Sequence, residues 1–523
     1  MLTFKVSEDR KWIELLDFSL NSERTSLFSF FKKKSKQADF NVLVDRGIWD
    51  GNDVFITKEG KISIGLWKEI YKFSDHTGYE ISIEGLDELL STYPDREEYD
   101  TYVNSLLSNV VDERGYPIVP RDYQAEGAYR AIKYKFCTEE LATSAGKTLI
   151  FYIYNSYLRD TGTITSKKKS LMIVPNVSLV GQTAEKFELY SANAKKWKVH
   201  VVGGKNKFNQ KQFDECEIFI STYQSLQNFP AEFFKVFSVV NVDETHKSRG
   251  NTIKQIIESC TNRDYKLGLS GTVKIDEKYS DFYKMQENVG PLVMVLSAKH
   301  LIDNKYSPNI KIKMVYLKYD ESNEYLKKYW ALKEDSIQMY KNAKDYGRDM
   351  LNIEKKFIYE SQERLSFISN LVKKLGKNTL ILFSDVKNGY GKSIQEAIFE
   401  WNPRTYYIDG EVETNVRDEY KDDMEKENDV IIVASYGTFA TGIDLKNVHH
   451  IIFAESTKAE ITIRQSIGRG MRKLAEKNKV IIWDLIDDLR GYSVKHSKVR
   501  EKIYVEQEFE IAKNVIDLTK LSV

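Results

Sequence analysis

Apolar residues along this chain fall into two repeating series. Between about Arg121 and Ala298, short β-rich runs alternate with stretches of helical spacing: Ser170–Val174, Ile218–Ile220, Val236–Val242 and Leu267–Leu269. A second series starts near Lys311 and includes Thr379–Phe383, Thr405–Ile408, Val430–Ala434, His450–Ala454 and Val480–Trp483. Continuous apolar runs, rather than alternation, mark strands covered on both faces, as in a parallel sheet sandwiched between helices. The pattern predicts two α/β domains in tandem.

The first hundred or so residues read differently. Phe40–Ile56 and Lys61–Ile64 suggest short strands around turns at Asp50-Gly51 and Glu59-Gly60. Leu66, Ile70 and Phe73 would share one face of a helix reaching Thr77. This predicts a small α+β module, closed by the polar stretch Asp112-Glu113-Arg114-Gly115. A long charged helical region lies between Glu321 and Leu375, and from about Lys495 the chain reads as one amphipathic helix. The expected boundaries are 1–115 for the module, 116–305 and 306–490 for the α/β domains, and 491–523 for a helical tail.

Composition narrows the classes. No run of eighteen apolar residues occurs, so no membrane span is expected, and the N-terminus lacks the apolar core of a secretory signal. Cys137, Cys216 and Cys260 are scattered and form no CxxC pair, which suits reduced thiols and a cytoplasmic address, the host cytoplasm if the source is viral. With 78 basic and 77 acidic residues the net charge is only +1, so any nucleic-acid site is a local groove rather than a basic coat.

The segment Ala142-Thr143-Ser144-Ala145-Gly146-Lys147-Thr148 carries the plainest chemistry. A loop ending in Gly-Lys-Thr and opening into a helix can wrap backbone N–H groups around phosphates. Lys147 would reach the β- and γ-phosphates and the Thr148 hydroxyl would bind Mg²⁺. The small residue usual at the head of the loop is Leu141 here. A second triplet, Gly391-Lys392-Ser393, reads as an ordinary helix start. About a hundred residues beyond the loop, Val239–Val242 runs into Asp243-Glu244-Thr245-His246. Adjacent carboxylates at the end of a buried strand need a cation beside them. Asp243 would hold Mg²⁺, and Glu244 would orient and help deprotonate the attacking water.

With these two motifs the chain resembles the superfamily 2 DExH helicases, because the rest of the series follows in order. Arg121-Asp-Tyr123-Gln124 resembles the adenine-reading segment. Pro175-Asn176 and Ser221-Thr222 look like first-domain contacts to a nucleic-acid backbone. Leu269-Ser270-Gly-Thr272 resembles the coupling segment, which His246 would join to the ATP site. Ser435 and Thr438 look like second-domain nucleic-acid contacts, and Gly442 with Asp444 like the part of that motif facing nucleotide. Gln465-Ser-Ile-Gly-Arg469-Gly-Met-Arg472 resembles the arginine motif, whose arginines would stabilise the γ-phosphate and make hydrolysis depend on domain closure.

The resemblance implies two RecA-like domains with parallel sheets, ATP and Mg²⁺ as cofactors, and an N-terminal module contacting nucleic acid. Gly47-Ile-Trp49-Asp-Gly51, Ala434–Phe439 and Trp483–Asp488 are similar to the UvsW-type branch-migration helicases of T-even phages. That likeness implies a monomeric motor acting on branched or duplex DNA, or on RNA–DNA hybrids, in recombination and repair. An RNA helicase and a duplex-DNA translocase subunit that separates no strands are the alternatives.

Several other features have plain readings. Trp49 anchors a small core. Lys32, Lys33, Lys34 and Lys36 form a basic patch that fits a phosphate backbone or a solvated loop equally. Lys167-Lys168-Lys169 solvates a loop, and Tyr325, Tyr329 and Trp330 are packing residues. Asp484, Asp487 and Asp488 lack the partner of a nuclease metal site and read as caps of a strand-to-helix turn.

Overall fold

The computed structural model describes residues 1–523 apart from 113–114, 192–195, 274–277, 323, 340–342, 441–444, 458, 471–477, 490 and 521–523. It divides into two compact units, Met1–Leu296 and Ser297–Val523.

The first unit opens with a four-stranded sheet in the order Lys61–Ser63, Trp12–Phe18, Leu2–Val6, Ile81–Glu84. The first three strands pair antiparallel, and the last joins Leu2–Val6 in parallel. Helices Asn21–Phe30 and Trp67–Thr77 belong to this module. The expected strand character of Phe40–Ile56 is realised at Asn52–Val54, which pairs with Lys32–Lys34, and in a single bridge from Ile56 to Ile62. The stretch before it is helical over Val42–Asp45, because the Asn41 side chain accepts a hydrogen bond from Leu43 N at 2.9 Å and starts a turn.

The module shares its core with the α/β body. Leu2, Phe4, Ile13, Leu66 and Phe73 form one apolar cluster with Phe136, Phe282, Tyr283 and Met285. Ser63 Oγ donates to Glu287 O at 3.2 Å, and Gly65 lies so close to Gln286 O that a Cβ would collide with it.

That body is a seven-stranded sheet in the order Leu292–Leu296, Phe136–Leu141, Tyr265–Ser270, Phe237–Asp243, Lys169–Val174, Ile218–Thr222, Val199–Val202. Every pairing is parallel. Helices such as Asp122–Tyr134, Lys147–Asp160 and Val177–Tyr190 connect the strands.

The second unit contains another seven-stranded parallel sheet, in the order Thr405–Ile408, Ile431–Ser435, Thr379–Phe383, His450–Phe453, Lys479–Asp487, Asn309–Lys318, Glu510–Asp517. The charged region before it is three helices, Glu324–Met339, Ala343–Glu360 and Gln362–Leu375. The expected helical tail is a helix only over Tyr492–Glu506. Strand Glu510–Asp517 then adds to the sheet edge beside Asn309–Lys318. Its alternation is weak and its Glu, Ala and Lys favour helix, so only the pairing partner makes it a strand.

Candidate functional site

Phosphate-binding geometry begins at the end of strand Phe136–Leu141. The chain turns through Thr143, Ser144 and Ala145, with positive φ at Ser144 (70°) and Gly146 (77°), and then starts helix Lys147–Asp160. A Cβ at Gly146 would strike Gln124 Nε2, which is why only glycine fits this corner. Thr148 lies half-buried in the first turn of that helix.

The adenine-type segment is tied to this loop. Gln124 Nε2 and the Tyr123 hydroxyl both donate to Ala145 O, at 2.8 and 2.9 Å. Gln124 Oε1 accepts from Arg121 N at 2.9 Å, and an Arg121 guanidinium N–H donates to Tyr123 Oη at 2.7 Å. Gln124 therefore holds the loop in shape, a structural task that its motif alone does not announce.

Two neighbouring strands complete the charged centre. Phe237–Asp243 delivers Asp243 and Glu244, and Tyr265–Ser270 delivers Ser270 and then Thr272. Lys147 Nζ stands 2.7 Å from Glu244 Oε1 and 3.6 Å from Asp243 Oδ1. Burial opposes the Lys147 charge, but Glu244 and Asp243 outweigh it and raise its pKa. Burial likewise opposes the Glu244 charge, yet Lys147 and His246 hold that carboxyl well below the usual range. Asp243 moves the other way, pushed up by burial while Lys147 resists. Glu244 sits in the left-handed region at φ 54°, a strained conformation for a side-chain-bearing residue that turns its carboxylate toward Lys147.

The coupling residues lie directly behind. His246 Nδ1 is 2.8 Å from Ser270 Oγ, 3.2 Å from Thr272 Oγ1 and 3.3 Å from Glu244 Oε2. Ser270 Oγ also donates to Glu244 Oε2 at 3.2 Å. A continuous polar chain therefore runs from Lys147 through Glu244 to His246, Ser270 and Thr272. Asp243 is the carboxylate less engaged by Lys147. With the Thr148 hydroxyl it offers the hard oxygen donors that Mg²⁺ takes, so the residues present fit that ion.

Several residues of the segments expected at the nucleic acid also serve the local fold. Ser221 Oγ is buried and donates to Val202 O at 2.8 Å. Thr222 caps helix Tyr223–Leu226, and Asn176 caps Val177–Tyr190 through Leu179 N at 3.0 Å. In the second unit, Ser435 Oγ donates to Thr438 Oγ1 at 2.8 Å, and both residues are buried. The hydroxyls of Ser221, Thr222 and Ser435 are thus engaged within the protein, the last with Thr438. These residues set up helix starts at the carboxyl ends of strands, where backbone N–H groups face outward. Pro175 and Asn176 remain half-exposed there.

Gln465 is half-buried in helix Glu460–Gly470. Gly442, Asp444, Arg472 and the Arg469 side chain lie outside the described residues. Asp484 and Asp487 neither cap nor bind metal: each is the anion of a buried ion pair, with Arg500 at 2.7 Å and Arg364 at 2.6 Å. No metal-binding cluster of three or more ligating side chains occurs among the described residues. Gly391 packs so tightly on the Phe383 ring that no Cβ would fit, so that triplet is a structural helix start.

Sequence reading missed two residues of note. Glu139, on the strand feeding the phosphate loop, is fully buried with neither carboxyl oxygen hydrogen-bonded, and burial pushes its pKa up to about 8. Its signal was an acidic residue inside a strand that would otherwise be a core strand. Lys205 also escaped notice; it is exposed just past Gly203-Gly204, at the end of edge strand Val199–Val202.

Comparison with known proteins agrees with this geometry. Residues 117–275 match the family described as "Type III restriction enzyme, res subunit", and residues 363–473 match "Helicase conserved C-terminal domain". The chain is 28% identical over 514 residues to the "ATP-dependent DNA helicase uvsW" of Enterobacteria phage T4, covering 94% of this chain and 95% of that one. It is 29% identical over 235 residues to the "DNA 3'-5' translocase XPB2" of Sulfurisphaera tokodaii, covering 43% and 47%. A fragment of an HsdR-type subunit of a type I restriction enzyme from Vibrio vulnificus shares the fold, with TM-score 0.54 and 15% identity over 87% of this chain and 83% of that one.

Proposed function

The chain belongs to the superfamily 2 helicases, ATP-hydrolysing enzymes that remodel nucleic acid, and we propose that its substrate is DNA, branched in preference to plain duplex. One observation carries the motor reading: the unbroken polar chain from Lys147 through Glu244 to His246, Ser270 and Thr272. Loss or gain of a γ-phosphate beside Lys147 redistributes charge on Glu244, and His246 passes that change to the segment after strand Tyr265–Ser270.

Lys147 binds phosphate and stabilises charge on it, Glu244 orients the attacking water, and Gly146 with its neighbours supplies backbone N–H groups. Asp243 and Thr148 would hold Mg²⁺, which would supply charge neutralisation at the phosphates. DNA as the substrate rests on relatives that span nearly the whole chain or act as DNA translocases. The motor acts as a monomer in the cytoplasm, and the module over 1–115 adds DNA contact.

The test is ATP hydrolysis measured without nucleic acid and with single-stranded DNA, duplex DNA, a four-way junction and RNA, with Lys147→Ala as the blank. Strongest stimulation by the junction is the expected result. Stimulation by RNA alone would replace DNA with RNA as the substrate. The translocase relative favours a second reading, movement along duplex without strand separation, which stimulation by plain duplex alone would select.

A further inference from the structure

A second charged cavity lies at the seam between the N-terminal module and the α/β body. It measures about 150 Å³ and is lined by Asp9, Arg10 and Lys11 from the module and by Arg263, Asp264 and Lys266 from the body. Phe136 and Lys266 stand at or near the starts of their strands, whereas the phosphate loop and Ser270 stand at the ends of the same strands. Five steps of about 3.3 Å along each six-residue strand put roughly 17 Å between the two places, so this is not the nucleotide site.

Positive charge exceeds negative here. Four cations and two carboxylates line the cavity, and one carboxylate is already engaged: Asp9 accepts from Ser7 Oγ at 2.7 Å and from Lys11 N at 3.1 Å, and pairs with Lys11 Nζ at 3.6 Å, which leaves Arg10, Arg263 and Lys266 against Asp264. Lys135 adds a further charge close by, its carbonyl accepting from Lys266 N at 2.7 Å. Burial pushes Lys266 well below the usual lysine value and lowers Arg263 and Lys135 too, while Lys266 Nζ donates to the Asn288 carbonyl at 2.7 Å and one Arg263 nitrogen to the Cys260 carbonyl at 2.8 Å.

Backbone strain points the same way. Six described residues other than glycine have positive φ, and two of them are Arg10 (54°) and Lys135 (57°). A left-handed conformation costs a residue with a Cβ about 1–2 kcal/mol, and glycine at the tip of the Ser7–Trp12 turn would avoid that cost. Arginine at the tip is explained by what its side chain does.

We propose that this cavity binds a phosphate group, held by the forked donors of Arg10 and Arg263 with Lys11 beside them. The volume admits phosphate or pyrophosphate but is too small for a whole nucleotide, since pockets for drug-sized ligands run to about 300–1,000 Å³. A guanidinium matches phosphate oxygens two at a time, so an oxyanion of that shape suits the site better than chloride. The bound group comes either from solution or from a nucleic-acid backbone, and it pins the module to the body where their charges repel.

Titration calorimetry of the full chain with pyrophosphate, in the Lys147→Ala background to weaken the nucleotide loop, tests the site. Adding Arg10→Gly, a residue that suits φ 54°, should leave the melting temperature unlowered and weaken pyrophosphate at least tenfold; Lys11→Gln should weaken it less. A parallel titration of duplex DNA against salt separates the two sources. A slope reduced by about 0.9 in Arg10→Gly assigns a backbone phosphate, and an unchanged slope with lost pyrophosphate binding assigns a free anion. If neither pyrophosphate affinity nor salt slope changes in either variant, the proposal is overturned.

Discussion

In the first unit Lys147 faces Asp243 and Glu244 with all three side chains 18–20% exposed. In the second, Arg364 faces Asp487 at 1% exposure each, and Arg500 faces Asp484 at 0% each. The second pair of sites is saturated. Asp487 also accepts from the Tyr319 hydroxyl at 2.6 Å, and Arg364 donates to Ala454 O at 2.7 Å and to the Tyr390 hydroxyl. Asp484 accepts from Tyr504 at 2.9 Å, and Arg500 reaches Ser456 and Thr457. In the first site Lys147 has one close and one loose carboxylate contact, and Glu244, which also accepts from Ser270, is strained. Charges fully enclosed and fully hydrogen-bonded hold helices to a sheet. Charges partly open and partly satisfied remain exchangeable for a ligand.

The largest expected effect sharpens that contrast. Asp487→Ala strands the Arg364 guanidinium and should lower unfolding free energy by about 3–5 kcal/mol in urea titrations, while Arg364→Met with Asp487→Leu should restore most of it. Next, Lys147→Ala should slow ATP hydrolysis by about 10²–10³-fold while moving the urea midpoint little. An equal loss of stability in Lys147→Ala and Asp487→Ala would erase the distinction between the two regions.

A third variant tests a group that belongs to neither region. Glu139 has its folded pKa raised from 4.5 to about 8, so folding takes up a proton across that window. Its contribution is intact below about pH 4.5 and is lost as pH rises toward 8. Glu139→Gln should flatten this slope and stabilise the protein near neutral pH by on the order of 2–3 kcal/mol, read from urea midpoints across pH. The smallest effect is at the coupling end. His246→Ala should leave basal hydrolysis nearly intact and cut its stimulation by nucleic acid about tenfold, roughly 1.4 kcal/mol in activation free energy. Unchanged stimulation would show that the histidine only packs.

The parallel strands buried on both faces were legible because such strands are apolar throughout: Ser170–Val174 and Thr379–Phe383 could be little else. Phe136–Leu141 was missed for the opposite reason, since Thr138, Glu139 and Glu140 hide a central strand. Leu2–Val6 and Trp12–Phe18 carry mixed patterns that become strands by pairing with each other. At the site, Lys147, Asp243 and Glu244 stood out from the loop and strand-end patterns, whereas His246 and Ser270 stood out only through the family likeness. The capping and buried hydrogen bonds of Ser221, Thr222 and Ser435 were not legible, because one residue type at a strand-to-helix junction serves a cap and a contact equally well.

Strand Asn309–Lys318 lies between two strands made much later, and Lys311 touches Glu510 across 199 residues of sequence. During synthesis, which proceeds from the amino end, the first unit can close its sheet once Leu296 has emerged. The second cannot. Its early strand waits with both edges open until Lys479–Asp487 and then Glu510–Asp517 arrive, so the newborn chain passes through a stage in which one half is finished and the other is a ready template for mispairing.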